Sequence, residues 1–176
     1  MSELVIFNKA LLTVDDRTGN VLELVSGPNN SLTLTVRATL QVNGKPFKAE
    51  WATVKDGSLY VGSHGRFKYG ATLSVFVLDE HYNVREQDWG NVYSILNRSA
   101  GIQSADGVNG LMIHETALWD DVAHRWVFLP RRVSPTEVTD SRCEFSGHSM
   151  MITANATFDQ CKVITVGPGD IESARG

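Results

Sequence analysis

Three glutamates, Glu3, Glu50 and Glu115, each open a short apolar run that turns back on itself. Glu3-Leu4-Val5-Ile6-Phe7 precedes Leu11-Leu12-Thr13-Val14, and Glu50-Trp51-Ala52-Thr53-Val54 precedes Ser58-Leu59-Tyr60-Val61. Glu115-Thr116-Ala117-Leu118-Trp119 precedes Arg125-Trp126-Val127-Phe128 after a longer turn. In the first two units the glutamate stands 11 residues before the last valine. Carboxylates at equivalent places in successive repeats point toward one axis, where they repel unless a cation lies between them. Oxygen-only ligands select a hard ion, calcium ahead of magnesium. A strand-start glutamate is more commonly a solvated edge charge. The neighbours Ala49, Trp51, Ile113 and Trp119 argue for burial, and a buried carboxylate needs a partner.

Several other chemistries are excluded. His114-Glu115 is not a zinc-protease pair, because Leu118 stands where the second histidine is required. His114 therefore reads as structural. No Gly-x4-Gly-Lys-Ser/Thr loop exists, and Gly62-Ser63-His64-Gly65-Arg66 is too short to cradle phosphates. Two cysteines, Cys143 and Cys161, are too few for a Cys-ligated zinc or a disulfide scaffold, and leave at most one disulfide. Sixteen Lys and Arg against twenty Asp and Glu give a net charge of −4. The basic residues are scattered, so nucleic acid and anionic membranes are set aside as partners.

The elements that must hold the glutamates are short strands. Apolar or alternating runs recur about every ten residues, separated by turn formers such as Asn43-Gly44, Asp56-Gly57 and Gly27-Pro28-Asn29-Asn30. This predicts an all-β chain, with one short helix over residues 92–100 closed by Gly101. The glutamates stand at 3, 50 and 115, so successive ones are 47 and 65 residues apart. Those spacings suit a four-stranded repeat with insertions, as in a β-propeller blade whose first strand lines the central channel. A β-sandwich satisfies the strand count as well. Trp51, Trp89, Trp119 and Trp126 read as sheet packing, with Trp51 also a candidate for stacking on a base. Apolar content of 42% with 20% charged residues is that of a folded globular chain, and no apolar run reaches membrane-spanning length.

Residues 2–8, 14–19, 47–55, 59–62, 100–103, 113–115 and 125–132 together resemble, in order, the calcium-activated nucleotidase or apyrase family. They include Val14-Asp15-Asp16-Arg17-Thr18-Gly19, Phe47-Lys48-Ala49-Glu50-Trp51-Ala52-Thr53, Ile113-His114-Glu115 and Phe128-Leu129-Pro130-Arg131-Arg132. The resemblance implies a five-bladed propeller with one axial calcium, hydrolysing nucleoside di- and triphosphates to the monophosphate and phosphate. It implies Ser2, Glu3, Glu50 and Glu115 as the calcium shell, a loop Asp15-Asp16-Arg17 beside the metal, and Arg131 at the active-site face. Phosphoanhydride cleavage needs charge neutralisation and a positioned water. Arg17, Arg131 and Lys48 suit the phosphates, and Asp16 or Asp15 suits the water. Without the resemblance, residues 15–19 read as a simple turn.

Family members are nearly twice this long, so about three blades are expected here, over residues 1–45, 46–110 and 111–176. Further calcium ligands, a Ser and a Glu, are expected from blades beyond position 176. Open blade edges favour self-association. Two functions follow: a calcium-dependent nucleoside diphosphatase, or a non-catalytic propeller fragment acting as a calcium-binding or interaction module. The family implies secretion or a secretory-pathway lumen, although Met1-Ser2-Glu3 does not open a signal peptide. The acceptor triplets beginning at Asn29, Asn97 and Asn155 agree with that compartment.

Overall fold

The first two hairpins close through two-residue turns in which both central residues have positive φ. These are Asn8 and Lys9 at 50° and 65°, and Asp56 and Gly57 at 49° and 72°. Such type I′ turns match the right-handed twist of paired strands. The computed structural model describes residues 3–66, 70–102, 110–134 and 150–165. Ser2, Cys143 and residues 166–176 lie outside them, and so does the Cys143–Cys161 pairing.

Among the described residues the chain is all-β, with one α-helix. β1 (Glu3–Phe7), β2 (Ala10–Val14), β3 (Asn20–Ser26) and β4 (Leu32–Thr39) form one antiparallel sheet in chain order. A two-stranded ribbon, β5 (Gln41–Val42) and β6 (Lys45–Pro46), leads to the second. There β7 (Trp51–Lys55), β8 (Ser58–Gly62), β9 (Ser74–Leu78) and β10 (Val84–Asp88) again lie in chain order. The helix α1 (Gly90–Ser99) connects to the third sheet, made of β11 (Leu111–Asp120), β12 (Arg125–Ser134), β13 (Met150–Asn155) and β14 (Cys161–Thr165). Successive meanders of four strands are consistent with a β-propeller.

Two cores join these sheets. Phe7, Leu12, Val14 and Val21 of the first pack with Ala52, Leu59, Val61, Phe76 and Leu78 of the second. The second and third enclose α1 and the aromatic cluster of Trp51, Trp89, Tyr93, Trp119, Trp126, Phe128 and Phe158. Trp89 and Trp126 meet edge to face at 5.2 Å, and Trp119 and Trp126 at 5.4 Å. Such contacts stabilise beyond their area burial.

Pairing in the first two hairpins corrects the repeat alignment. Glu3 lies opposite Val14, whereas it is Trp51 that lies opposite Gly62. Counted from the turns, Glu3 corresponds to Trp51 and not to Glu50. Side chains alternate faces along a strand, so a shift of one residue sends the two glutamates to opposite sides of their sheets.

The helix begins two residues before the expected start and ends one residue before the expected end, at Ser99, with Gly101 beyond it at φ 79° donating its N–H to the Arg98 carbonyl at 3.0 Å. It buries Asn97, which removes the middle acceptor triplet as an accessible site. Strand β10 has no apolar alternation to announce it. It is an exposed edge strand, Val84-Arg85-Glu86-Gln87-Asp88, and charge is what an edge carries.

Candidate functional site

Glu50 is fixed one residue before β7, where its N–H donates to the Gly62 carbonyl at 2.8 Å. The next turn of chain, Ser63 and His64, runs toward the third sheet. His114 donates its N–H to the His64 carbonyl at 3.1 Å, one residue before Glu115. Two backbone bonds thus hold Glu50 and Glu115 at the junction of the second and third sheets, each beside a cross-link.

Glu115 and Arg131 both lie where the β11–β12 register slips. The pairing shifts between Ile113 and His114 and again between His114 and Ala117. Such bulges re-aim side chains, and they are common beside functional sites. Here they bring the Arg131 guanidinium to 2.6 Å from Glu115. Lys48, two residues before Glu50 and at the centre of a tight turn closed by the Ala49 N–H on the Phe47 carbonyl at 3.1 Å, places its ammonium against the Glu50 carboxylate.

Glu50 is the buried member of the group, at 9% exposure. Burial pushes its carboxyl above the ordinary range, Lys48 opposes this, and the charges of Glu115 and Asp16 push it further up. The charges of Glu115 and Asp16 thus both bear on Glu50. Among the described residues no three acidic, histidine or cysteine side chains are gathered closely enough to hold a metal ion. Of the expected ligands, Glu50 and Glu115 offer oxygen donors of the kind a hard cation takes, and Glu50 is the desolvated one.

The other expected residues are dispersed. Glu3 turns its carboxylate to its own neighbour, accepting from the Leu4 N–H at 3.2 Å. Asp15 accepts from the Thr18 N–H at 3.1 Å and from the Thr18 hydroxyl, which holds its carboxyl below the ordinary range. It is a turn residue, and Asp16 is the one that acts on Glu50. Arg17 is exposed on the same turn.

Trp51 is not a base-stacking surface. Its ring is fully buried, its Nε1 donates to the Ser63 carbonyl at 2.9 Å, and Trp89 and Trp126 flank it. Only glycine fits above it: a Cβ on Gly62 would stand 1.9 Å from the indole. Burial was legible in the neighbouring apolar residues; the direction of the ring was not.

Sequence reasoning also missed the strap of residues 62–66. The Ser63 carbonyl accepts from both Trp51 Nε1 and the Tyr93 hydroxyl, and Gly65 at φ 71° lies against the Tyr93 ring. His64 on this strap is pushed down to about 4, by burial first and then by Lys48 and Arg66. His114 is buried between Tyr93 and Phe128, each ring centroid 5.4 Å away, and burial pushes it down to about 3. It is a neutral packing residue. A groove of about 260 Å³ lined by His124, Arg125, Asn155, Gln160 and Lys162 holds none of the site residues.

Residues 1–176 match the family model described as Apyrase. The chain belongs to the apyrase family. It is 34% identical over 180 residues to soluble calcium-activated nucleotidase 1 of Rattus norvegicus, covering 95% of this chain and 42% of that protein. It is 32% identical over 187 residues to apyrase apy-1 of Caenorhabditis elegans, covering 95% and 48%. With an apyrase of Cimex lectularius the identity is 34% over 184 residues, covering 100% and 49%. This apyrase-family chain thus spans about half the length of the curated relatives it matches.

Proposed function

We propose that the chain carries the cation-binding face of a calcium-dependent enzyme that hydrolyses nucleoside di- and triphosphates to the monophosphate and phosphate. The observation that carries this reading is that backbone bonds bring Glu50 and the β11 bulge bearing Glu115 to the junction of the second and third sheets, with Lys48 on the first carboxylate and Arg131 on the second. The three meanders are then propeller blades over residues 1–45, 46–110 and 111–176, part of a ring of five. The short β5–β6 ribbon is the first link between them.

Glu50 and Glu115 are the residues that would hold calcium, with Asp16 nearby. Ser2 and Glu3 belong to the family's shell, and Glu3 joins it only by turning away from Leu4. When bound, calcium neutralises phosphate oxygens and so lowers the barrier to attack. Lys48, Arg131 and Arg17 bind terminal phosphate oxygens, the arginines through two parallel N–H donors. Asp16 accepts a proton from, or orients, the attacking water. Asp15 holds the turn that presents Asp16.

Secretion, or residence in a secretory lumen, goes with this reading. No helix among the described residues is long and apolar enough to cross a membrane. Asn29 on an exposed turn and Asn155 at a strand end are the acceptors that such a compartment would modify.

A second reading, an interaction module without catalysis, is favoured by one face of the first sheet. Leu4, Ile6, Leu32, Leu34 and Val36 are all more than half exposed there. Their pairing across β1 to β4 puts them on the side away from the second sheet, a surface suited to self-association.

Phosphate release from a panel of nucleoside di- and triphosphates separates the two. Release with calcium, lost with chelator and lost in Glu115→Ala, supports the hydrolase. A folded chain releasing no phosphate above background with calcium or magnesium leaves the interaction module.

A further inference from the structure

β4 is an edge strand: it pairs with β3 on one side and, among the described residues, with no strand on the other. Such an edge offers a row of backbone N–H and C=O groups to any second strand, and proteins ordinarily guard it with charge or proline. β10, the corresponding edge of the second sheet, is guarded in this way by Arg85, Glu86 and Asp88. β4 is not. It runs for eight residues, Leu32–Thr39, with no proline and with Arg37 as its one charge. That charge is paired with Glu23 of β3. Leu32, Leu34 and Val36 are 66%, 54% and 54% exposed.

The β3–β4 hairpin fixes which backbone groups face outward. Gly27 donates its N–H to the Ser31 carbonyl at 2.8 Å, so these two form a hydrogen-bonded pair. Bonded and non-bonded pairs alternate along an antiparallel ladder. Thr33 opposite Val25 and Thr35 opposite Glu23 are therefore the residues bonded to β3. Leu32, Leu34 and Val36, between them, turn their N–H and C=O groups away from the sheet. The side chains of the same three residues lie together on the apolar face, because faces alternate along a strand.

We propose that β4 is a dimerisation edge whose occupant is β4 of a second copy of this chain, running antiparallel about a two-fold axis at Leu34. Outward groups can bond only outward groups, and this limits the register. With Leu34 opposite the partner's Leu34, Leu32 falls opposite the partner's Val36, and Val36 opposite the partner's Leu32. All three pairs then exchange N–H to C=O bonds in both directions. Between them Thr33 stands opposite the partner's Thr35, a cross-strand pair that stabilises a sheet. Arg37 falls opposite the partner's Ser31, so no like charges meet. The edge is thus complementary to itself, as a two-fold contact requires. The contact is one strand wide and falls below the roughly 1,200 Å² of a stable interface, so the dimer is a weak one that forms as concentration rises. It differs from a stacking of whole apolar faces, which would cover Leu4 and Ile6 of β1 as well, and it does not depend on the proposed hydrolysis.

The test is sedimentation velocity of the purified chain from low to high micromolar concentration, where a monomer–dimer equilibrium is expected. Leu34→Lys sets two like charges at the axis and is expected to weaken the dimer about tenfold or more. Leu34→Pro removes an outward N–H and leaves the bonds of Thr33 and Thr35 to β3 in place, so the same loss is expected in a chain that still folds. Disulfide trapping reads the register. In Leu34→Cys the two α-carbons would lie about 5.5 Å apart across the axis, within disulfide reach. Oxidation of Leu34→Cys is expected to give more covalent dimer than the unaltered chain, and Leu4→Cys, on the opposite edge of the sheet, is not. A chain that is monomeric at every concentration overturns the proposal, and so does a dimer that Leu34→Lys leaves at full strength. No excess of trapped Leu34→Cys over Leu4→Cys overturns the edge pairing too. Should Leu34→Pro fail to fold, Leu34→Lys, altered only at an exposed side chain, carries the comparison. None of these outcomes bears on the proposed hydrolysis.

Discussion

Gly62→Ala is the substitution that most directly joins the packing to the site. The added Cβ would lie 1.9 Å from Trp51 Cζ2 and 2.2 Å from Cε2. Ordinary contact begins above about 3.4 Å, so ring or backbone must move by more than 1 Å. The ring has nowhere to go. Its Nε1 is bonded to the Ser63 carbonyl at 2.9 Å, and Trp89 and Trp126 stand at 5.7 and 6.5 Å. Overpacking costs about 1–3 kcal/mol, and a fully enclosed indole places this case near the top, at about 3 kcal/mol. At about 2–4 °C per kcal/mol for a chain of this size, Tm falls by about 6–12 °C. Gly57→Ala is the comparison, because a Cβ there meets nothing within 4 Å and carries only the strain of φ 72°. That strain is worth about 1–2 kcal/mol. The Gly62 carbonyl also accepts the Glu50 N–H, so calcium affinity is expected to fall in Gly62→Ala and not in Gly57→Ala. Thermal melting and calcium titration of both variants measure this. A Gly62→Ala melting point no lower than that of Gly57→Ala would refute the pinned indole.

His114 gives the pH dependence a definite sign. Its folded value of about 3 lies below the ordinary 6.5, so the unfolded chain binds the extra proton. The stability is present above about pH 6.5 and is lost as pH falls toward 3, at about 1.4 kcal/mol per pH unit. Urea unfolding between pH 6.5 and 4.5 is expected to show about 2–3 kcal/mol less acid loss in His114→Phe than in the unaltered chain. In phosphate release, Asp16→Asn is expected to lose about 100-fold or more, the usual worth of a positioned base, with Tm unchanged. Asp15→Ala frees Thr18 and loosens the turn, so a smaller loss accompanies it. Equal losses in the two would mean that Asp16 acts only as part of the turn.

The strands were legible where local chemistry alone decides them. Asp56-Gly57 dictates a type I′ turn, and Gly101 ends α1, because both positions require positive φ. Strand β10 was hidden, since an exposed edge needs no apolar alternation. Glu50 and Glu115 were singled out from their place at the start of apolar runs and from their apolar neighbours, whereas Glu115 stands in the middle of β11, because that strand begins earlier, at Leu111. Glu3 was matched to Glu50 because an offset of 11 residues says nothing of which face a side chain takes; only the turn fixes that register. The Lys48–Glu50 and Arg131–Glu115 pairs were likewise out of reach. The second depends on a bulge, and a slip in pairing leaves no periodicity to read. The direction of Trp51 depends on Gly62 across the hairpin and on rings from two other elements, contacts that no local pattern encodes.

The central claim is that Glu50 and Glu115 hold one hard cation between neighbouring sheets. Terbium is a hard stand-in for calcium, and its luminescence is excited through nearby tryptophan. Trp51 follows Glu50 directly, and Trp119 stands four residues beyond Glu115. Tryptophan-excited terbium emission that calcium displaces, and that disappears in a folded Glu50→Gln, Glu115→Gln double variant, is the expected result. Undiminished emission from that folded variant would contradict the assignment.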